Sequence, residues 1–276
     1  MLHRIAVLAD IHGNLSALNA VLADAQQQAV TDYWFLGDLF LPGPGAEQLY
    51  ATLAAVKPAV WLQGNWEQGI NAVVAGKGRI DDSSQVYFAR LTEYLVQHLS
   101  PEHFQTVMQR PIATTVTVNG LMISLSHNQP ERSTGHDLYP AAEQANFDHL
   151  AGNADVAVYG HTHQQIMRVS DKGQLIVNPG ATGQPYSPYK KFMADQRAHY
   201  AILTIDDAGR ITVEFRKVEY DIDQELRLAQ QQELPYYELY EHLRRTGSTI
   251  THDQALLTKV NAEHGYQTDV REFFGW

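Results

Sequence analysis

The chain contains no cysteine. Disulfides and thiolate metal ligands are therefore excluded, and any metal must be held by His, Asp, Glu or Asn. Such donors favour harder ions, Mn or Fe, or a His-rich Zn site. Long apolar runs are lacking as well. None approaches the length needed to cross a membrane, and no low-complexity tract interrupts the chain. The first strand starts within a few residues of Met1, so no signal peptide is expected and the expected location is cytoplasmic. Positive charge is scarce: 20 Lys and Arg face 31 Asp and Glu, for a formal net charge of −11. Counterion release on nucleic acid needs a basic surface that this composition does not supply, so stable nucleic-acid binding is not expected. Net charge says little about a local site, because bound divalent cations make a cleft attractive to anions even in an acidic protein.

What is present is a foldable composition. The 276 residues are 44% hydrophobic and 18% charged, enough for one large α/β domain, or for a core of about 200 residues with an appendage. The stretch from Leu2 to Asn14 organises the rest. An apolar run from Ile5 to Ala9 stops at Asp10, and Ile11, His12, Gly13 and Asn14 follow before a helical pattern begins. This reads as a buried strand ending in a polar turn, at the strand end where open α/β sheets bind ligands. Residues two apart in an extended segment point the same way, so Asp10 and His12 can converge on one ion.

The same grammar repeats downstream. Leu15, Leu18, Val21 and Leu22 recur at helical spacing behind Asn14 as N-cap. Tyr33 to Leu36 is a short strand ending in Gly37 and Asp38, and the strand at Ala59 to Leu62 runs into Gly64, Asn65, Trp66 and Glu67. Three strand, turn and helix units in succession indicate a parallel sheet. Residues 68–109 read as helices that pack on it. Asn119 and Gly120 mark a hairpin within residues 112–125, and its second arm ends in Ser126 and His127. Asp155 to Tyr159 is another buried strand, ending in Gly160, His161, Thr162 and His163. After a further strand pair come Asn178, Pro179 and Gly180, then a closing hairpin up to Val218. Residues 1–219 thus form the core, and 220–276 read as a helical appendage, either a lid over the cleft or an oligomer contact. His98, His103, His136, His149 and His242 stand outside any motif.

Asp10 with His12, Asp38, Asn65, His127, and His161 with His163 all follow strands, a coincidence hard to assign to chance. The motifs D-x-H-G-N, G-D, G-N, S-H and G-H-T-H, in this order and spacing, resemble the calcineurin-like metallophosphoesterase superfamily. With the N-P-G stretch they resemble in particular its bacterial and archaeal phosphodiesterase-type members. The likeness covers residues 1 to about 218. It implies a four-layer α/β architecture, a two-sheet β-sandwich flanked by helices, with a dinuclear metal site. Carried over by position, Asp10, His12 and His163 would hold one metal, Asn65, His127 and His161 the other, and Asp38 would bridge both. Asp38, Asn65 and His127 are the catalytic candidates, and a metal-bridging hydroxide would be the nucleophile. Two divalent ions are implied, Mn or Fe first, with Zn or Ni as alternatives.

One position departs from the pattern. The family usually carries G-N-H-D or G-N-H-E; here the third residue is Trp66, followed by a matching Glu67. An indole donates one hydrogen bond but cannot serve as a general acid near neutral pH. Related members that lack this His are often phosphodiesterases, so the resemblance favours phosphodiesters or phosphoanhydrides, of nucleotide type, over simple monoesters. Trp66 is either plain packing or a stacking surface, and Lys190, Lys191 and Arg197 are weaker candidates for a distal phosphate. The competing readings are a dinucleoside polyphosphate hydrolase or a protein or small-molecule phosphomonoesterase, and, in another class, a non-catalytic scaffold. The expected partner is a small phosphate ester or nucleotide, without a membrane; oligomeric state is not written in the sequence.

Overall fold

Alternation along the first strand decides the layering. In β1 (His3–Leu8) Ile5 and Val7 face one side and Ala6 and Leu8 the other, and all four are buried. A strand buried on both faces needs a layer on each. The computed structural model, which describes residues 1–276, supplies both. After β1 come α1 (Leu15–Gln27), β2 (Asp32–Phe35), α2 (Glu47–Ala55), β3 (Val60–Trp61), α3 (Asn65–Ala72), α4 (Ser83–His98) and α5 (Pro101–Met108). The hairpin β4 (Ala113–Val118) and β5 (Leu121–Ser126) is followed by α6 (Gln144–Ala151), β6 (Val156–Tyr159), β7 (Gln165–Val169) and β8 (Leu175–Pro179). A short α7 (Lys190–Met193) precedes the hairpin β9 (Ala198–Ile205) and β10 (Ile211–Val218). Then α8 (Ile222–Gln231), α9 (Tyr237–Thr246), α10 (Gln254–His264) and α11 (Tyr266–Phe274) complete the chain.

Two mixed sheets result. The first has strand order β10-β9-β1-β2-β3, with β1, β2 and β3 parallel. The second runs β4-β5-β6-β8-β7, with β5, β6 and β8 parallel. The sheets face each other through Ile5, Val7, Leu36, Leu125, Val158, Val177 and Leu203. Helices cover the outer face of the first sheet, where Leu8 and Phe35 meet Leu18, Leu49, Leu91 and Leu95, while α6 covers the second through Phe147 and Leu150. The outcome is the helix-flanked two-sheet sandwich that the resemblance implied.

Local signals are honoured. Asn119 at φ 48° and Gly120 at φ 84° make the tight turn between β4 and β5, since both positions of a primed turn need positive φ. Asn14 accepts from Ala17 N at the start of α1, and Ser100 accepts from His103 N ahead of Pro101 in α5. The 220–276 segment is helical, as read from sequence. Leu226, Ala229, Leu239, Tyr240 and Leu257 from it share one apolar cluster with Leu8 and Phe35.

Candidate metal centre

The loops leaving the parallel strands are zipped together beyond the sheet. Asp10 N donates to Gly37 O at 3.0 Å, His12 N to Asp38 O at 3.0 Å, and Gly160 N to His127 O at 2.8 Å. These turns are tight enough to force Asp10, His12, Asp38, His161 and His163 to positive φ, between 53° and 66°. Such backbone is strained for a residue with a Cβ and persists where the surroundings over-determine it, which is typical of functional sites. Gly64 fits for lack of a side chain: a Cβ there would lie 2.1 Å from Asp38 Oδ1 and 2.7 Å from His127 Cε1.

All seven residues read from sequence are brought together. Each of the four imidazoles donates one ring N–H to a backbone carbonyl. His12 Nδ1 reaches Leu41 O at 2.7 Å, His127 Nδ1 reaches Leu36 O at 2.9 Å, His163 Nδ1 reaches Gln184 O at 2.6 Å, and His161 Nε2 reaches Gly135 O at 3.0 Å. That fixes the tautomer and leaves the other nitrogen, with its lone pair, turned inward. His12 Nε2 and His163 Nε2 consequently face each other at 3.1 Å, and His127 Nε2 and His161 Nδ1 each lie 2.9 Å from Asn65 Oδ1. Asp38 Oδ2 sits 3.7 Å from His12 Nε2 and 3.5 Å from His127 Nε2, and Asp10 Oδ1 lies 3.5 Å from His163 Nε2.

Lone pairs converging without a proton between them are what a cation requires, and this donor set fits divalent metal. Asp10, His12 and His163 form one group able to hold an ion, and Asp10, Asp38 and His127 a second. Asp10 Oδ1 is buried and makes no hydrogen bond within the protein. Electrostatics agree. Burial followed by the charge of His163 lowers His12 to about 3, and burial followed by His127 lowers His161 to about 4. Both rings are neutral, and so able to ligate, at physiological pH. Burial pushes Asp10 up, but His163, His127 and His12 outweigh it and bring it down to about 2. Asp38 is raised, by burial first and then by Glu67 and Asp10, so its ionised form calls for a cation beside it.

Buried side chains behind the ligands brace the loops. The fully buried Glu67 takes four backbone N–H groups, from Asp38 at 2.9 Å, Leu39 at 2.8 Å, Phe40 at 3.3 Å and Gly64 at 2.8 Å. It thereby locks the loop after β2 to the start of α3. Asn178 donates to Gly160 O at 2.6 Å and Thr162 Oγ1 at 3.1 Å, and so braces the G-H-T-H turn. Trp66 donates its backbone N–H to Asp38 Oδ1 at 2.9 Å, and its ring stands edge-on to His12 at 5.4 Å and tilted against Phe88 at 5.2 Å. It therefore both packs and lines the cluster. Lys190 is exposed on α7, and Arg197 is gripped by Asp195 through two 2.8 Å hydrogen bonds. No hydrogen bond or ion pair joins either to the seven-residue cluster.

The C-terminal helices contribute residues the motifs did not point to. Buried Arg244 of α9 donates to Gly183 O, the carbonyl that Asn14 Nδ2 also approaches at 3.1 Å. Buried Glu225 of α8 accepts from Ser16 N at 2.9 Å and from Tyr240 Oη at 3.1 Å. The signal was present: Arg244 lies on the stripe of Leu239, Tyr240 and Leu243, and Glu225 beside Leu226 and Ala229.

Comparison with known proteins places this arrangement. The family profile for the calcineurin-like phosphoesterase superfamily domain matches residues 3–208. A protein of Methanocaldococcus jannaschii is 25% identical over 233 residues, which cover 79% of this chain and 88% of that protein. The crystal structure of a metallophosphoesterase from Sphaerobacter thermophilus is 26% identical with a TM-score of 0.68, covering 89% of this chain and 100% of that one. The fold also matches that of a hypothetical protein from Pyrococcus horikoshii at a TM-score of 0.71 and 17% identity, covering 89% of this chain and 99% of that one.

Proposed function

Since the chain belongs to the calcineurin-like phosphoesterase superfamily, we propose that it is a metal-dependent phosphoesterase cleaving phosphodiester or phosphoanhydride bonds of nucleotide-type substrates at a dinuclear site. In this reading Asp10, His12 and His163 would hold one divalent cation and Asn65, His127 and His161 the other, with Asp38 placed between the two groups as a shared donor. The observation that carries it is the 3.1 Å approach of the His12 and His163 Nε2 atoms, both turned inward by backbone acceptors, beside the unpartnered Asp10 Oδ1. When bound, two such cations supply an activated water and positive charge for in-line displacement at phosphorus.

The chain's own residues set what that chemistry serves. Only two carboxylates stand among the seven donors, so a site loaded with two divalent ions is positive and draws in an anionic phosphate ester. The backbone carbonyls hold the imidazoles, and Glu67 holds Asp38, so little reorganisation is left for the reaction. Trp66 stands edge-on to His12 and cannot deliver a proton near neutral pH. Substrates whose leaving groups depart without protonation, such as anhydrides and esters of acidic alcohols, are therefore favoured.

Hydrolysis of bis-p-nitrophenyl phosphate beside p-nitrophenyl phosphate, with Mn restored after chelation, tests this. The diester should be the faster substrate, only with metal. Faster monoester cleavage would transfer the assignment to a phosphomonoesterase, and a chain that holds no metal would favour a scaffold.

A further inference from the structure

We propose that the cavity beside the G-H-T-H turn is a subsite for the planar base of a nucleotide whose phosphate lies at the metal cluster. The inference deepens the phosphoesterase reading and rests on it for the position of the phosphate. The cavity measures about 410 Å³, the size of a small-ligand site, and Gln164, Tyr186, Phe192, Asp195, His199 and Lys217 line it.

The first observation is His199. It is 6% exposed, yet neither ring nitrogen has a hydrogen-bond partner in the protein. The backbone is pinned, with His199 N donating to Ala181 O at 3.0 Å and its carbonyl accepting from Thr182 Oγ1 at 3.0 Å. A buried polar ring held in place without partners calls for an occupant that supplies them. Neutral imidazole offers one donor and one acceptor, which suits the edge of a base. The second is a pair of exposed aromatic rings on the rim, Tyr186 at 41% and Phe192 at 64% exposure, which present faces on which a base can stack.

The charges say what the occupant is not. Lys217 Nζ is engaged by Asp195 at 3.2 Å, and the same carboxylate grips Arg197. With both cations neutralised, the cavity has no free positive group for a phosphate and fits a neutral planar moiety. The phosphate has its place next door. Gln164 directly follows His163, Tyr186 N donates to His163 O at 3.3 Å, and Gln184 O receives His163 Nδ1. One turn thus carries both the inward imidazole and the cavity rim.

Two p-nitrophenyl diesters with a common leaving group read this out: thymidine 5′-(p-nitrophenyl phosphate), and methyl p-nitrophenyl phosphate, which has no base. In the exposed-site double variant Tyr186→Ala/Phe192→Ala, the ratio of kcat/KM for the nucleoside ester over the methyl ester should fall about tenfold. Calorimetric titration of the Mn-loaded protein with thymidine and adenosine 5′-monophosphates, against inorganic phosphate, gives a readout free of turnover. The nucleotide-to-phosphate affinity ratio should fall by a similar factor in the double variant. If neither ester is hydrolysed but that affinity ratio still falls, the subsite stands and the diesterase reading does not. If the diesters are hydrolysed and neither ratio moves, or if both nucleotides bind no better than phosphate, the subsite is wrong.

Discussion

The two sheets make unequal contributions to the metal centre. Loops of the first sheet bring Asp10, His12, Asp38 and Asn65, which include both carboxylates; the second brings His127, His161 and His163, all imidazoles. Their braces differ in the same sense. A buried carboxylate, Glu67, anchors the first set by four backbone N–H groups, whereas a neutral amide, Asn178, anchors the second. Charge and its strongest support are thus concentrated on one side of the sandwich, and the other side supplies neutral donors on a softer mount.

The most severe way to break this asymmetry is Asp38→Asn. It removes one of two negative charges while keeping shape, and kcat/KM should fall on the order of a thousandfold, measured with excess Mn. His127→Asn, on the imidazole side, should fall less; the reverse ranking would overturn the view that the first sheet carries the chemistry. The braces come next. Glu67→Gln leaves one oxygen for four N–H groups and turns an NH2 toward them, so unfolding free energy should drop by about 3 kcal/mol. Asn178→Ala should lose about 1 to 2 kcal/mol. Urea denaturation of the metal-free variants ranks the two.

How much of this was legible follows from what kind of group does each job. Asp10, His12, Asp38, Asn65, His127, His161 and His163 stood out because apolar runs stop abruptly at them, and strand ends are visible in one dimension. The orienting acceptors Leu36 O, Leu41 O, Gly135 O and Gln184 O are backbone carbonyls, which every residue carries, so no sequence signal separates them. Glu67 was visible only as a motif letter; its four donors come together through the fold. Arg244 sits 61 residues from Gly183 and Glu225 209 residues from Ser16, and only helical periodicity hints that they face inward. The 220–276 helices looked detachable because they bear no motif, yet Leu226 and Leu239 share the core of the first sheet.

Acid sharpens the comparison in the metal-free protein. His12 and His199, on the first sheet, titrate at about 3 when folded, and His161, on the second, at about 4, against about 6.5 unfolded. A group whose folded pKa is depressed in this way binds its proton first in the unfolded chain. Stability is then lost as pH falls from about 6.5 toward those folded values, by up to about 1.4 kcal/mol per pH unit for each histidine. Asp38 acts in the opposite direction, since its raised pKa makes the folded state take up a proton before the unfolded one. Burial raises Glu93 and Glu225 too, though less than Asp38; the three histidines, which in the unfolded chain already take up protons near pH 6.5, outweigh these carboxyls, so the urea midpoint of chelated protein should be lower at pH 5 than at pH 7. An unchanged midpoint would contradict the buried, neutral state assigned to these rings.

The smallest effect concerns Trp66, which lies on the charged side and touches His12 edge-on at 5.4 Å. Its indole makes no hydrogen bond inside the protein while its backbone N–H holds Asp38. Side-chain replacement therefore leaves that backbone contact available. In Trp66→His an imidazole that can donate a proton near neutral pH replaces an indole that cannot. The gain should appear only where the leaving group needs that proton: turnover of a phenyl diester should rise about tenfold relative to its p-nitrophenyl counterpart, while the latter changes little. Equal changes for both leaving groups would mean that Trp66 acts by packing against His12 and Phe88, and that its indole does not set the substrate range.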